Sequence, residues 1–339
     1  MKPPRKRPSA APAAAAVSAG RSRAPGWLTI VAAVVAVGGI GVGIVLWPSP
    51  RAVESGAIPN EPGLITKVES LYNDIYLYRR ANGYFMLSFG AERLRYVESI
   101  VNPEDELELP VYYTQSMTVG LAYAAALDDA AIIGLGGGRT AWYTHKSVPD
   151  LRFTAIELDP EVARIADRFF NVRPEDNFDV IIRDGRIQLA RNEQTYDLIY
   201  VDAYRGPFVP FHLLTTEFYE LVAERLRPGG VAVQNVEPST MLFDAAVATI
   251  SAAFDHLVFF RGAGNIVIVA YDGPEKDEAT IARLAAERQA LYRFRYDLGD
   301  IIQRRFLPDW DETTQPLTDD FAPVEYLKAI ERHNERPTG

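Results

Sequence analysis

Residues 129 to 160 read DAAIIGLGGGRTAWYTHKSVPDLRFTAIELDP, and this stretch decides the fold. Asp129 to Leu135 is a short apolar run with the length of a buried strand, and it enters Gly134-Leu135-Gly136-Gly137-Gly138 just before a helix that starts near Thr140. Glycine suits this turn because a side chain would hold the backbone away from a bound cofactor, and because such turns use positive φ angles. A glycine-rich turn alone also serves ordinary tight turns, so the next strand gives it meaning. Arg152 to Ile156 leads into Glu157-Leu158-Asp159-Pro160, setting an acid 21 residues after Gly136 at the carboxyl end of a strand. From there a carboxylate can accept both hydroxyls of a ribose.

The pattern continues downstream. A third strand, Phe178 to Ile182, ends at Asp184-Gly185, where a carboxylate suits an adenine amino group; a fourth, Tyr196 to Val201, ends at Asp202. Four successive strand ends thus bring a polar or glycine element to one edge of a parallel sheet, where open α/β sheets bind ligands. A helix from Thr216 to Leu226, the turn Arg227-Pro228-Gly229-Gly230, a strand Val231 to Val236, a helix near Thr240 to Phe254 and a hairpin His256 to Tyr271 around Gly262-Ala263-Gly264-Asn265 follow. The expectation is an α/β, Rossmann-like domain over residues 111–330 with a methyltransferase-type sheet, binding an adenosylated sulfonium cofactor.

Upstream, residues 63–110 alternate apolar and polar positions in short runs (SLYNDIYLYRR, YFMLSF, LRYVES), with Ala81-Asn82-Gly83 as a turn. They predict a small antiparallel β module that packs on the next domain as a lid or dimerisation element. Residues 48–62 read as a linker. Trp27 to Trp47 (WLTIVAAVVAVGGIGVGIVLW) holds no charge and is long enough to cross a bilayer as one transmembrane helix, with Trp at each interface. A cleaved signal peptide is the competing reading; the following PSPRAVES lacks a small-x-small cleavage site. Residues 1–26 read as a disordered basic tail, with Lys2, Arg5, Lys6, Arg7, Arg21 and Arg23 and no acid. By the charge rule the amino terminus is cytoplasmic and the main domain lies on the other side, whereas a cofactor made in the cytoplasm argues for the inner side, so the side of the main domain stays open.

Composition narrows the functions. A net charge of -10 argues against nucleic acid as a partner. The absence of cysteine excludes disulfides, thiolate metal sites and cysteine nucleophiles, and four histidines leave little for a zinc site.

Together these motifs resemble the spermidine/spermine synthase family over about Ser70 to Tyr326. AIIGLGGGRTA is similar to its first glycine motif, IELDPEV to its ribose-binding motif, and YDLIYVDAYRGPFVPFHLLTTEFYELVAERLRPGG to its catalytic strand and helix. LPVYYTQSM stands where the family carries a Tyr-His-Glu segment, and PLTDDFAPVEYL resembles the closing motif of membrane-associated, spermidine-synthase-like proteins, the subgroup with the nearest likeness. The resemblance implies aminopropyl transfer from decarboxylated S-adenosylmethionine to an amine such as putrescine, without a metal. It implies Asp202 as base, Tyr113 orienting the amine, Glu157 on the ribose, Asp184 on the adenine, and Gly134, Gly136 and Gly138 in the cofactor turn. A homodimer is also implied, because family members commonly associate through the small β module.

Departures fall on the substrate side. Gly137 stands where the family usually has an Asp for the donor's ammonium, the Asp-x-x-Asp pair becomes Asp202-Ala203-Tyr204-Arg205, and the Glu of Tyr-His-Glu becomes Gln115. Gln115, Tyr204 and Arg205 are therefore the candidate substrate-binding residues. Losing acids and gaining Arg205 weakens a site for a dication, and Arg205 could instead pair with a donor that keeps its carboxylate. Two alternatives stay open: a transferase moving a methyl or aminocarboxypropyl group from S-adenosylmethionine itself, and a non-catalytic membrane-anchored scaffold. Asp319, Asp320 and Glu325 restore acidity if the closing motif folds over the pocket.

Overall fold

Residues 58–91, 94–204, 208–238 and 242–320 are described by the computed structural model of the protein. Four antiparallel strands open it: β1 (Gly63–Glu69), β2 (Asp74–Arg79), β3 (Phe85–Ala91) and β4 (Leu94–Val101), in the order β1-β2-β3-β4. The middle of this sheet is buried on both faces, at Ile75 to Leu77 and at Leu87 to Phe89. Ile75, Leu77, Phe85 and Leu87 are buried in the same apolar cluster as Leu135, Phe169 and Phe170, and the rings of Phe85 and Phe169 meet edge to face at 5.9 Å. The small sheet therefore completes the core of the larger unit, as its size demands.

After α1 (Tyr112–Met117) and α2 (Gly120–Tyr123) the strand–helix alternation begins: β5 (Asp129–Ile133), α3 (Arg139–Ser147), β6 (Arg152–Glu157), α4 (Pro160–Phe170), β7 (Phe178–Ile182), α5 (Gly185–Arg191) and β8 (Tyr196–Val201). Next come α6 (Thr216–Arg225), β9 (Leu226–Val236), α7 (Phe243–Ala253), β10 (His256–Gly262), β11 (Asn265–Tyr271), α8 (Glu278–Tyr292), α9 (Leu298–Ile302) and β12 (Arg305–Phe306). The sheet order is β12-β10-β11-β9-β8-β5-β6-β7. β5 to β9 run parallel, and β11 enters antiparallel between β9 and β10. This is the Rossmann-like, methyltransferase-type order with its terminal hairpin.

Both faces of the central strands are covered. Along β8, Leu198 and Tyr200 enter one core cluster while Ile199 and Val201 enter the other; Ala130 and Ile132 are likewise divided from Ala131 and Ile133 on β5. Such strands show continuous apolar runs, which is why the sequence marks them so clearly. Strand order reverses between β5 and β8, and the crevice at that switch lies over their carboxyl ends.

The structure differs from the sequence pattern at β9. The strand begins at Leu226, paired with Tyr196, and carries the Arg227 to Gly230 turn within it as a register break before Val231 pairs with Leu198. Periodicity did not foresee α8, α9 or β12. Trp27 to Trp47, the basic tail, Arg205 and Glu325 lie outside the described residues, as does most of the linker. Among the described residues, no helix is long and apolar enough to cross a membrane.

Candidate active site

A cavity of about 370 Å³ opens at the switch point, within the usual range for small-molecule sites. Its floor is the carboxyl ends of β5, β6 and β8. Tyr72 and Asn73 reach it from the β1–β2 turn, Glu98 and Ser99 from β4, and Phe208 to Leu213 from the segment after β8.

Gly134, Gly136 and Gly138 all line it with positive φ values of 89°, 54° and 68°. At Gly134 the reason is also spatial: a Cβ there would lie 2.4 Å from the carbonyl oxygen of Asp202. Glu157, buried at the end of β6, holds the turn in shape. Its Oε2 accepts from the N–H groups of Leu135 (2.9 Å) and Gly136 (3.3 Å), and Oε1 accepts from Asp159 N at 2.9 Å. Burial raises its pKa, and those three N–H donors oppose the rise. A carboxylate offers about four acceptor positions, so Glu157 keeps capacity for a ligand hydroxyl.

Asp184 also lines the cavity and is already engaged. Its Oδ1 accepts from Ile187 N (2.8 Å), capping α5, and its Oδ2 lies 2.7 Å from His212 Nε2. His212, from the 3₁₀ turn Phe211–Leu213, is a lining residue the motifs did not reveal. Opposite, Ser70 donates to Asp159 Oδ2 at 2.5 Å, tying the β1–β2 turn to the residue that caps α4.

The reactive candidate is Asp202. Its backbone continues β8, with its N–H donating to Ile133 O at 2.9 Å. Its Oδ1 accepts from Asn235 Nδ2 at 2.9 Å and its Oδ2 from the Tyr113 hydroxyl at 3.3 Å. Burial pushes its pKa up to about 6, and the Asn235 and Tyr113 hydrogen bonds hold it from rising further. Burial and the negative charge of Asp202 raise Tyr113 well above the usual phenol range, so it stays a donor. Asn235 is buried at the end of β9 and is steadied by Asn265 Nδ2, which donates to its Oδ1 at 3.0 Å. Nothing in the sequence motifs marked Asn235, because its role arises from β8 and β9 lying side by side.

Glu98 is the third residue the motifs missed. In the β3–β4 ladder Leu87 pairs with Ser99 but Ser88 pairs with Val97, leaving Glu98 as the extra residue of a bulge. Bulges commonly re-aim a side chain beside an active site, and this one sets Glu98 in the cavity wall. Burial, with Asp202 and Glu157 nearby, lifts its pKa well above the carboxylate range.

The substrate-side candidates separate. The Tyr204 ring lines the cavity while its hydroxyl donates to Asn235 O at 2.8 Å. Gln115 is not among the lining residues: its Nε2 donates to Leu109 O (2.9 Å) and its Oε1 accepts from Arg304 (3.3 Å). Asp319 is held by Arg186 and Thr215 at 2.5 to 2.8 Å, outside the cavity lining. Among the described residues no cluster of three or more His, Asp or Glu could hold a metal ion.

Residues 112–267 match the spermine/spermidine synthase domain. A polyamine aminopropyltransferase from Vibrio vulnificus is 30% identical over 275 residues, spanning 78% of this chain and 91% of that protein. In structure, a probable spermidine synthase from Corynebacterium glutamicum is similar with a TM-score of 0.56 at 19% identity, covering 74% of this chain and 98% of that one. Spermidine synthase from Thermotoga maritima gives 0.59, also at 19%, covering 72% and 84%. At such identity these two likenesses speak to the fold.

Proposed function

The chain belongs to the spermidine/spermine synthase family, and from that premise we propose that it transfers an aminopropyl group from decarboxylated S-adenosylmethionine to a small amine such as putrescine. The observation that carries this reading is the half-buried Asp202 carboxylate facing the cavity beside the Tyr113 hydroxyl, with a pKa near 6. A base must be mostly ionised at neutral pH yet retain affinity for a proton, and that value meets both needs. The neutral nitrogen of the acceptor attacks the donor's carbon next to sulfur. The new N–C bond forms as the C–S bond breaks, its electron pair goes to sulfur, and neutral methylthioadenosine leaves. The attacking amine passes its proton to Asp202 and on to solvent.

The charge of the cavity supports a cationic donor and acceptor. Its described lining carries Glu98, Glu157, Asp159, Asp184 and Asp202 against Arg139 and His212. Of the two bases, Arg139 donates to the carbonyl oxygens of Phe170 and Glu106, and His212 pairs with Asp184. Alignment supplies most of the rate, since a sulfonium already leaves readily and an in-line pose removes much of the entropic barrier.

Incubation of the full chain with decarboxylated S-adenosylmethionine and putrescine should yield methylthioadenosine and spermidine by mass spectrometry. Asp202→Asn should lower kcat by about a hundredfold or more. Product from ordinary S-adenosylmethionine alone, or an undiminished Asp202→Asn, refutes the proposal. Membrane anchoring through Trp27 to Trp47 belongs to the same reading, supported by that uncharged span and the basic tail before it. Protease protection in sealed vesicles shows which side the domain occupies.

A further inference from the structure

The chain has no carboxylate in its glycine turn, and the structure shows why none fits. A Cβ on Gly137 would lie 2.4 Å from Ser99 Oγ, 2.6 Å from Ser99 Cβ and 2.7 Å from the Phe170 ring. The space an aspartate would need is taken by β4, from the small sheet. The residue before Ser99 is Glu98, the extra residue of the β3–β4 bulge, and it lines the cavity. Its Oε1 is buried and has no hydrogen-bond partner among the described residues.

We propose that Glu98 recognises the primary ammonium at the end of the donor's three-carbon arm, replacing from the small sheet the acid that the glycine turn lacks. The proposal rests on the aminopropyl reading above. Position is its first support. Glu98 lies close enough to Glu157 and Asp202 for both charges to act on it, and the arm of a donor held at Glu157 and attacked beside Asp202 runs on past the attacked carbon within the cavity that all three acids line. Valence is the second. A buried oxygen with no partner is costly, and an ammonium carries three donors to a carboxylate in a charge-assisted bond. The third is discrimination. The ammonium of the decarboxylated donor favours the ionised form of Glu98, whereas the carboxylate of ordinary S-adenosylmethionine beside it would oppose that ionisation and leave the ammonium without its counter-charge. The same chain that lost an acid at residue 137 thus keeps a reason to prefer the decarboxylated donor.

Calorimetry on the full chain with three probes tests this: decarboxylated S-adenosylmethionine, ordinary S-adenosylmethionine and methylthioadenosine, which lacks the ammonium. Glu98→Gln should weaken the decarboxylated donor by about tenfold or more, leave methylthioadenosine within about twofold, and narrow the preference between the two donors by a similar factor. Equal losses for decarboxylated donor and methylthioadenosine, or no loss for either, overturn it. So does failure of both Glu98→Gln and Glu98→Ala to bind methylthioadenosine, because the acid would then serve the fold. A wild-type chain that binds ordinary S-adenosylmethionine as well as the decarboxylated form overturns the aminopropyl reading itself, and Glu98's assignment with it.

Discussion

Replacing Asn235 by leucine should move the acid limb of the pH–rate profile upward without touching any residue of the cavity wall. Asn235 donates to Asp202 Oδ1 at 2.9 Å from a position only 2% exposed, so the bond is not shared with solvent. A hydrogen bond to a charged group contributes about 1.5 to 3 kcal/mol, and 1.36 kcal/mol corresponds to one pKa unit, so its loss should raise Asp202 by about one to two units. Leucine fills a similar volume and keeps water from taking the vacated position. The direction follows from the base's role. Asp202 works ionised, so kcat/KM falls as pH drops through its pKa, and the midpoint should rise from about 6 to roughly 7 or 8. The assay is kcat/KM from about pH 5 to pH 9, with Tyr113→Phe, which loses the longer 3.3 Å bond, expected to move less. An unmoved or lowered midpoint in Asn235→Leu refutes Asp202 as the titrating base.

Two further outcomes are expected. The unfolded chain ionises Asp202 near 3.8 and the folded chain near 6, so the folded state binds more protons between those values; stability falls as pH rises through that window and stays lower above it. Asp202→Asn should therefore stabilise the fold by up to about 3 kcal/mol at neutral pH, with the gain vanishing below about pH 4, measured by urea unfolding; equal stability at neutral pH contradicts the burial cost. Gly137→Asp, which places an acid in the glycine turn, should destabilise by about 1 to 3 kcal/mol through its clash with Ser99 and Phe170 and should not tighten donor binding. Thermal melting with donor titration checks it, and tighter binding at an unchanged Tm counts against the packing argument.

That the glycine turn and Glu157 lie together was legible because their signals are local. The run from Asp129 to Gly138 and the acid at Glu157 sit on consecutive elements whose spacing is fixed by one β–α–β unit, and the paired β5 and β6 place them together. The substrate half depends on contacts distant in sequence. Gln115 looked like a binding residue by motif position, yet its surroundings are set by Arg304, 189 residues on. Asn235 reaches Asp202 across 33 residues. Glu98 was hidden for a different reason: in the run LRYVES it resembles any solvent-facing acid of an alternating strand, and only the bulge, a matter of pairing with β3, turns it inward. Asp184 was read correctly as lying at a strand end, but the sequence could not show that Ile187 and His212 already engage it.

Glu98 and the glycine turn stand on different sheets, and that division has an evolutionary consequence. On the proposed reading the glycine turn and Glu157, which would hold the nucleoside, belong to the eight-stranded sheet, whereas Glu98, the acid that would face the donor's arm, is carried by a strand of the four-stranded one. Mutations in the small sheet can therefore retune which sulfonium is accepted while the adenosine-binding architecture drifts neutrally or not at all. Donor choice in such a chain behaves as an exchangeable attachment, open to selection on its own.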